Sequence, residues 1–129
     1  LEERSMAEEE KSIKKFRKEL NSGTVSLMLL AVMAKSDEPL YGYQIMKRLE
    51  EQGRSLTSMK QGTLYPVLRS LAASGLLSSS VEPSVSGPPR KYYAITPLGR
   101  ETLSAWREIW TETSGIVEAI LAGGEHEPH

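Results

Sequence analysis

Apolar positions recur with a helical period along most of the chain and change to an extended pattern only between residues 76 and 96. The clearest stripe is Leu64, Val67, Leu68 and Leu71, at i, i+3, i+4 and i+7 within the stretch Lys60 to Leu71, which makes one apolar face of a helix. Its other face carries Gln61, Thr63, Tyr65 and Arg69. An amide, two hydroxyls and a guanidinium are the groups with which a helix reaches base edges and phosphates. Pro66 admits two arrangements, because its ring presses on the carbonyl of Gly62, four residues back. Either the helix starts near Ser58 and Gly62 eases a local bend, or Thr63 caps the helix and Pro66 lies in the first turn, where no donor is needed. Both place Tyr65 near the N-terminal end, and Gly75 ends the helix.

Upstream, Ile13, Phe16 and Leu20 recur among Lys14, Lys15, Arg17 and Lys18, predicting a short amphipathic helix that is either a basic arm for DNA or a solvated face resting on the domain or a partner. Asn21-Ser22-Gly23-Thr24 interrupts it and offers a cap for Val25 to Ala34, a helix buried on most sides. Lys35 to Pro39 reads as a turn. Leu40 to Gly53 reads as the next helix, with Ile45, Met46 and Leu49 inward and Gly53 as its stop. Tyr41 and Tyr43 flank Gly42 at its start, where their hydroxyls meet phosphates or their rings simply pack.

Downstream, Leu76 to Glu82 and Arg90 to Thr96 are strand-like and joined by the Pro/Gly-rich stretch Pro83 to Pro89, giving a hairpin with Arg90 and Lys91 beside its tip. Thr96 then caps a last helix with Pro97 at its first position. Along it Leu103, Trp106, Trp110, Thr113, Val117 and Ile120 form a heptad seam. From Pro97 to Leu121 such a helix is ~37 Å long, longer than a small domain is wide, so it needs a partner unless Gly115 breaks it. The predicted fold class is mainly α with a small β-hairpin: a winged helix-turn-helix domain plus a long C-terminal dimerisation helix. The predicted organisation is an N-terminal extension over 1–21, the DNA-binding domain over 22–96, the dimerisation helix over 97–121 and a flexible tail over 122–129. Met6 is a candidate native start, so residues 1–5 carry no functional argument.

Composition narrows the chemistry. With 129 residues, 39% of them apolar, the chain can bury one ordinary core. It has no cysteine, which removes disulfides, thiolate nucleophiles and cysteine-held metals. The longest apolar run, Leu27 to Ala34, is 8 residues against the ~20 that span a bilayer, and the chain does not open on a secretory signal; a cytoplasmic protein without a membrane partner is expected. No cofactor, metal or catalytic site is expected either, since the histidines are His126 and His129 in the tail, the one aspartate is Asp37, and no glycine-rich phosphate loop follows a strand. The net charge of -1 hides an asymmetry: residues 1–34 are neutral, 35–100 carry +4 and 101–129 carry -5. The basic charge lies around the candidate reading helix and the hairpin, as a nucleic-acid binder requires.

Leu40-Tyr41-Gly42-Tyr43, Gly62-Thr63-Leu64-Tyr65-Pro66, Gly75-Leu76-Leu77 and Arg90-Lys91-Tyr92-Tyr93-Ala94-Ile95-Thr96-Pro97-Leu98-Gly99, in that order, resemble the PadR family of transcriptional regulators across roughly residues 22–121. The resemblance implies a winged helix-turn-helix dimer, joined through the C-terminal helix, that represses promoters and is often released by small aromatic or drug-like effectors. It makes Gln61, Thr63 and Tyr65 DNA-contacting positions. In the wing, Pro88 stands where the family has a basic residue, which leaves Arg90 and Lys91 to do that work. Trp106 and Trp110 resemble aromatic residues that some members use to sandwich flat ligands, and dimer packing accounts for them equally well.

The expected function is therefore a homodimeric DNA-binding repressor. Gln61, Thr63 and Tyr65 read the major groove, and Lys60, Arg69, Arg90 and Lys91 hold phosphates of double-stranded DNA at a palindromic operator with half-sites ~34 Å apart. The alternative is a winged-helix module for protein contacts, without direct effector binding, that uses the acidic C-terminal helix as its surface.

Overall fold

The computed structural model describes residues 2–53 and 61–123. In chain order the elements are α1 (Glu2–Ala34), β1 (Leu40–Tyr41), α2 (Gly42–Gln52), α3 (Gln61–Ala73), β2 (Leu77–Glu82), β3 (Arg90–Ile95) and α4 (Pro97–Gly123). One core unites them. It is built from Val25, Leu29, Leu30 and Met33 of α1, Leu40, Ile45 and Leu49 around α2, Leu64, Leu68 and Leu71 of α3, and Leu76, Leu77 and Tyr93 of the sheet. The apolar stripe of α3 is thus buried as its spacing predicts, with Val67 half-buried against the same core.

Two sequence expectations are corrected, and a third point, open between two arrangements, is decided. The first concerns α1, which runs without interruption through Asn21-Ser22-Gly23-Thr24. Thr24 does not cap a new helix; its hydroxyl donates to the Leu20 carbonyl one turn back, at 2.8 Å, a bond compatible with the helix interior. Gly23 costs a helix about 1 kcal/mol relative to alanine, and packing of Val25 to Met33 into the core outweighs that. The boundary expected at residue 21 is therefore the middle of a 33-residue helix.

The second concerns Leu40 and Tyr41, which are not helical. They pair antiparallel with β3, Leu40 opposite Tyr93 and Tyr41 opposite Tyr92, so the hairpin becomes a three-stranded sheet in the order β1-β3-β2. In the main hairpin Leu77 faces Ile95 and Glu82 faces Arg90. The third concerns Pro66. α3 begins no later than Gln61, so Thr63 lies inside the helix and does not cap it, and Gly62 occupies the position whose carbonyl Pro66 leaves without a donor.

Helix ends follow local chemistry. Gly75, at φ 81, closes α3 with paired bonds from Gly75 N to Ala72 O and from Leu76 N to Leu71 O, each 3.0 Å, the double closure that a left-handed glycine permits. α4 starts as its sequence predicts: the Thr96 hydroxyl accepts from Gly99 N at 2.9 Å and donates to the Gly75 carbonyl at 2.7 Å, tying the root of α4 to the end of α3. Arg100 adds a second tie, donating to the last carbonyl of α1, Ala34 O, at 3.3 Å. α4 then passes through Gly115 unbroken. Among the described residues, no helix is long and apolar enough to cross a membrane.

Candidate nucleic-acid interface

On α3, Gly62, Thr63, Pro66, Arg69, Ser70 and Ala73 are exposed while Leu64, Leu68 and Leu71 are buried. At 100° per residue the exposed set forms one ridge, opposite the core. Thr63 and Arg69 stand on that ridge as expected. Tyr65 does not: it is half-buried and packs against the core. Gln61 is the first described residue of the helix, and Lys60 lies outside the described residues.

The aromatic ring of Tyr65 occupies the space above Gly42, the first residue of α2. A Cβ built on Gly42 would overlap the ring, coming within 2.7 Å of its Cζ. Tyr93 of β3 is buried in the core against which Tyr65 packs. Burial raises its pKa from the ordinary 10.0, with Arg69 pulling it down and Tyr65 pushing it up.

The wing divides its two cations between the faces of the sheet, as strand alternation requires. Lys91 shares a face with Tyr93, its ammonium 5.9 Å from that ring, and so lies on the side of α3 and Arg69. Arg90 lies on the opposite face, its guanidinium carbon 4.5 Å from the Tyr41 ring. Tyr41 in turn meets Tyr92 edge-on at 5.4 Å and Tyr43 in a stack at 6.5 Å, and Lys47 lies 5.8 Å from the Tyr43 ring. This second cluster of aromatics and cations was only partly visible in the sequence. Tyr41 and Tyr43 stand out there, but their meeting with Tyr92 and Arg90 depends on β1, a two-residue strand that its partner defines.

A groove of about 480 Å³ separates α1 from α4, lined by Leu20, Gly23, Thr24 and Leu27 on one side and by Trp106, Ile109, Trp110 and Thr113 on the other. Of the predicted heptad seam, Leu103 and Trp106 are half-buried against the chain's own core. Trp110, Val117 and Ile120 are exposed, together with Ile109, Ile116 and Leu121, which the seam did not include. On α1, Met6, Ile13, Phe16 and Leu20 are exposed as well.

This architecture recurs in known proteins. The model of the transcriptional regulator PadR-like family matches residues 29–105. A PadR family transcriptional regulator from Eggerthella lenta has a similar structure, with a TM-score of 0.74 and 32% identity over 90% of this chain and 96% of its own. A PadR-like transcription factor from Bacteroides fragilis gives a TM-score of 0.65 and 31% identity over 82% of this chain and 98% of its own. A transcriptional regulator of Mycobacterium tuberculosis is 33% identical over 91 residues, 70% of this chain and 78% of its own. With its four motifs set on a winged-helix frame and its family match spanning more than half its length, the chain belongs to the PadR-like family of transcriptional regulators, which bind DNA and are not enzymes.

Proposed function

We propose that the protein is a homodimeric repressor that holds a palindromic operator with α3 and the wing and leaves it when a small, flat aromatic or drug-like molecule binds. The observation that carries the DNA-binding part is the exposed ridge of α3, flanked by Arg69 and by Lys91 on the facing side of the sheet. In this reading Gln61 and Thr63 meet base edges in the major groove, while Lys60, Arg69, Arg90 and Lys91 hold phosphates. The protein acts in the cytoplasm, where its operator is.

Two observations support a dimer. The distal part of α4 leaves Trp110, Ile116, Val117, Ile120 and Leu121 uncovered, an apolar stripe larger than a lone helix sheds into water without cost. The first half of α1 has a matching stripe at Met6, Ile13, Phe16 and Leu20. Charge favours the pairing over part of that length: α1, neutral as a whole, is basic from Lys11 to Lys18, with Lys11, Lys14, Lys15, Arg17 and Lys18 and no acidic residue between them, and α4 carries Glu108, Glu112 and Glu118. A second copy covers both stripes and gives a two-fold partner to the two half-sites. For the effector, the groove that exposes Trp110 and half-exposes Trp106 has the size and apolar lining of a small-molecule site.

Fluorescence anisotropy on promoter DNA from the protein's own gene neighbourhood tests the DNA-binding part. Affinity should rise steeply as salt falls, because each neutralised phosphate releases counterions; binding that does not tighten at low salt refutes it. For the effector, a panel of planar aromatics should change tryptophan emission and weaken the complex with DNA. Unchanged emission with unchanged DNA affinity across the panel refutes release by such molecules.

A further inference from the structure

We propose that Tyr65 is a positioning residue of the DNA interface, its ring seated in the space left by Gly42 so that one aromatic plate fixes the angle of α3 against α2 and the wing. This rests on the reading of α3 as the DNA-facing helix. The position itself invites a different role, since Tyr65 sits near the N-terminal end of α3 with a hydroxyl suited to a base edge. Its surroundings assign it otherwise. Thr63 and Arg69 stand on the exposed ridge, whereas Tyr65 turns away from it, half-buried against the core.

Tyr65 sits where the parts whose mutual angle matters come together. The ring lies over the first residue of α2, close enough that glycine is the one residue the contact admits without displacement. Away from Gly42 the side chain packs against the core, to which β3, the central strand of the sheet and the strand that carries Lys91, contributes Tyr93. In a helix-turn-helix the second helix enters the groove while the first crosses the backbone, so the angle between the two decides which side chains meet bases. A plate wedged at their crossing sets that angle without touching DNA.

The backbone conformation at position 42 does not itself call for glycine. Positive φ occurs at Gly75 and Gly87, not at Gly42, and an alanine there would otherwise favour the helix. What a methyl meets is the Tyr65 ring, at 2.7 Å from Cζ where ordinary contact begins at 3.4 Å. The ring therefore has to retreat by roughly 0.7 Å or more, because packed side chains do not absorb such an overlap in place. Base-edge hydrogen bonds tolerate only a few tenths of an ångström.

The experiment is a double-mutant cycle on the full chain: wild type, Gly42→Ala, Tyr65→Ala, Gly42→Ala with Tyr65→Ala, and Tyr65→Phe as the variant that keeps the plate. The probe is a duplex selected by the wild-type protein from a random pool, with a scrambled duplex for comparison. Gly42→Ala should bind the selected duplex about tenfold to a hundredfold more weakly, the value of one good base contact, and the scrambled duplex as before. In the Tyr65→Ala background the added methyl should have no further effect, because the ring it displaces is gone, and Tyr65→Phe should bind like wild type. The proposal is overturned if Gly42→Ala binds both duplexes normally, if the two effects multiply in the double variant, or if Tyr65→Phe loses as much as Tyr65→Ala, which would put the hydroxyl on DNA. Thermal melts of the same proteins are the control that does not depend on DNA. There Gly42→Ala should lower Tm in the presence of Tyr65 and not in its absence; additive losses would refute the contact itself. A wild-type protein that selects no duplex would sink the DNA reading and this role with it, while the melts would still decide the packing.

Discussion

Gly99 and Gly115 of α4 should respond in opposite ways to the same methyl group. Gly99 sits in the first turn, where its amide donates to the Thr96 cap at 2.9 Å. A Cβ there would run into the Leu76 carbonyl oxygen and come within 2.8 Å of Ile95 Cγ1. Leu76 O cannot swing aside, because it accepts from Thr96 N at 3.1 Å as the sheet closes onto the helix. Gly99→Ala therefore has to push the root of α4 off the end of α3, at the cost of an overpacked site, about 1–3 kcal/mol. Gly115, by contrast, lies in the middle of the helix with nothing near the added methyl, so Gly115→Ala should gain up to about 1 kcal/mol from helix propensity and a smaller unfolded-chain entropy. For a chain of this size 1 kcal/mol is about 3–5 °C in Tm. Gly99→Ala should thus melt about 3–15 °C below wild type and Gly115→Ala a few degrees above it, followed by circular dichroism at one fixed protein concentration, since association also moves Tm. A Gly99→Ala protein as stable as wild type, or a destabilised Gly115→Ala protein, would refute the close seating of α4 or its continuity through residue 115.

Three further outcomes rest on the same geometry. Burial holds the Tyr93 proton more tightly in the folded chain than its ordinary pKa of 10.0, so that contribution to stability is fully present below about pH 10 and is lost as pH rises through the higher folded value; Tyr93→Phe should flatten the alkaline fall in Tm relative to wild type, and parallel falls would contradict it. Val117 and Ile120 are 48% and 72% exposed, so Val117→Asp with Ile120→Asp should leave the chain folded, with a Tm that no longer depends on protein concentration, and convert a dimer to a monomer in sedimentation; an unchanged mass would move the dimer interface elsewhere. Lys91→Ala should weaken all duplexes alike and lower the steepness of the salt dependence by about one unit for each phosphate it no longer neutralises, whereas Thr63→Ala should erode preference among sequences, and the reverse pattern would exchange their roles.

Where the sequence predicted correctly, the cause was local. The stripe Leu64, Val67, Leu68, Leu71 needs only a helical period to be buried, Gly75 needs only its own left-handed φ to stop α3, and Thr96-Pro97 carries its cap within four residues. Where it misled, distant contacts decided. Leu40 and Tyr41 became a strand because Tyr92 and Tyr93 were there to pair with. α1 bridged Gly23 because the core held one side of it. The seating of the Tyr65 ring over Gly42 was not readable from the sequence, because it depends on the absence of a side chain on another helix. The division of Arg90 from Lys91 between the two faces of the wing follows from strand alternation alone and was legible once the strand was recognised.

The proposed mode of regulation requires that two copies of the chain present two α3 ridges to one DNA duplex. Selection of DNA from a random duplex pool by the full-length protein, followed by sequencing of the bound fraction, decides whether they do. The enriched sequences should contain two inverted half-sites whose centres lie about one helical turn, ~34 Å, apart, and the Thr63→Ala protein should enrich a less selective version of the same half-site. An enriched site without inverted symmetry, or no enrichment at low salt, would contradict that arrangement.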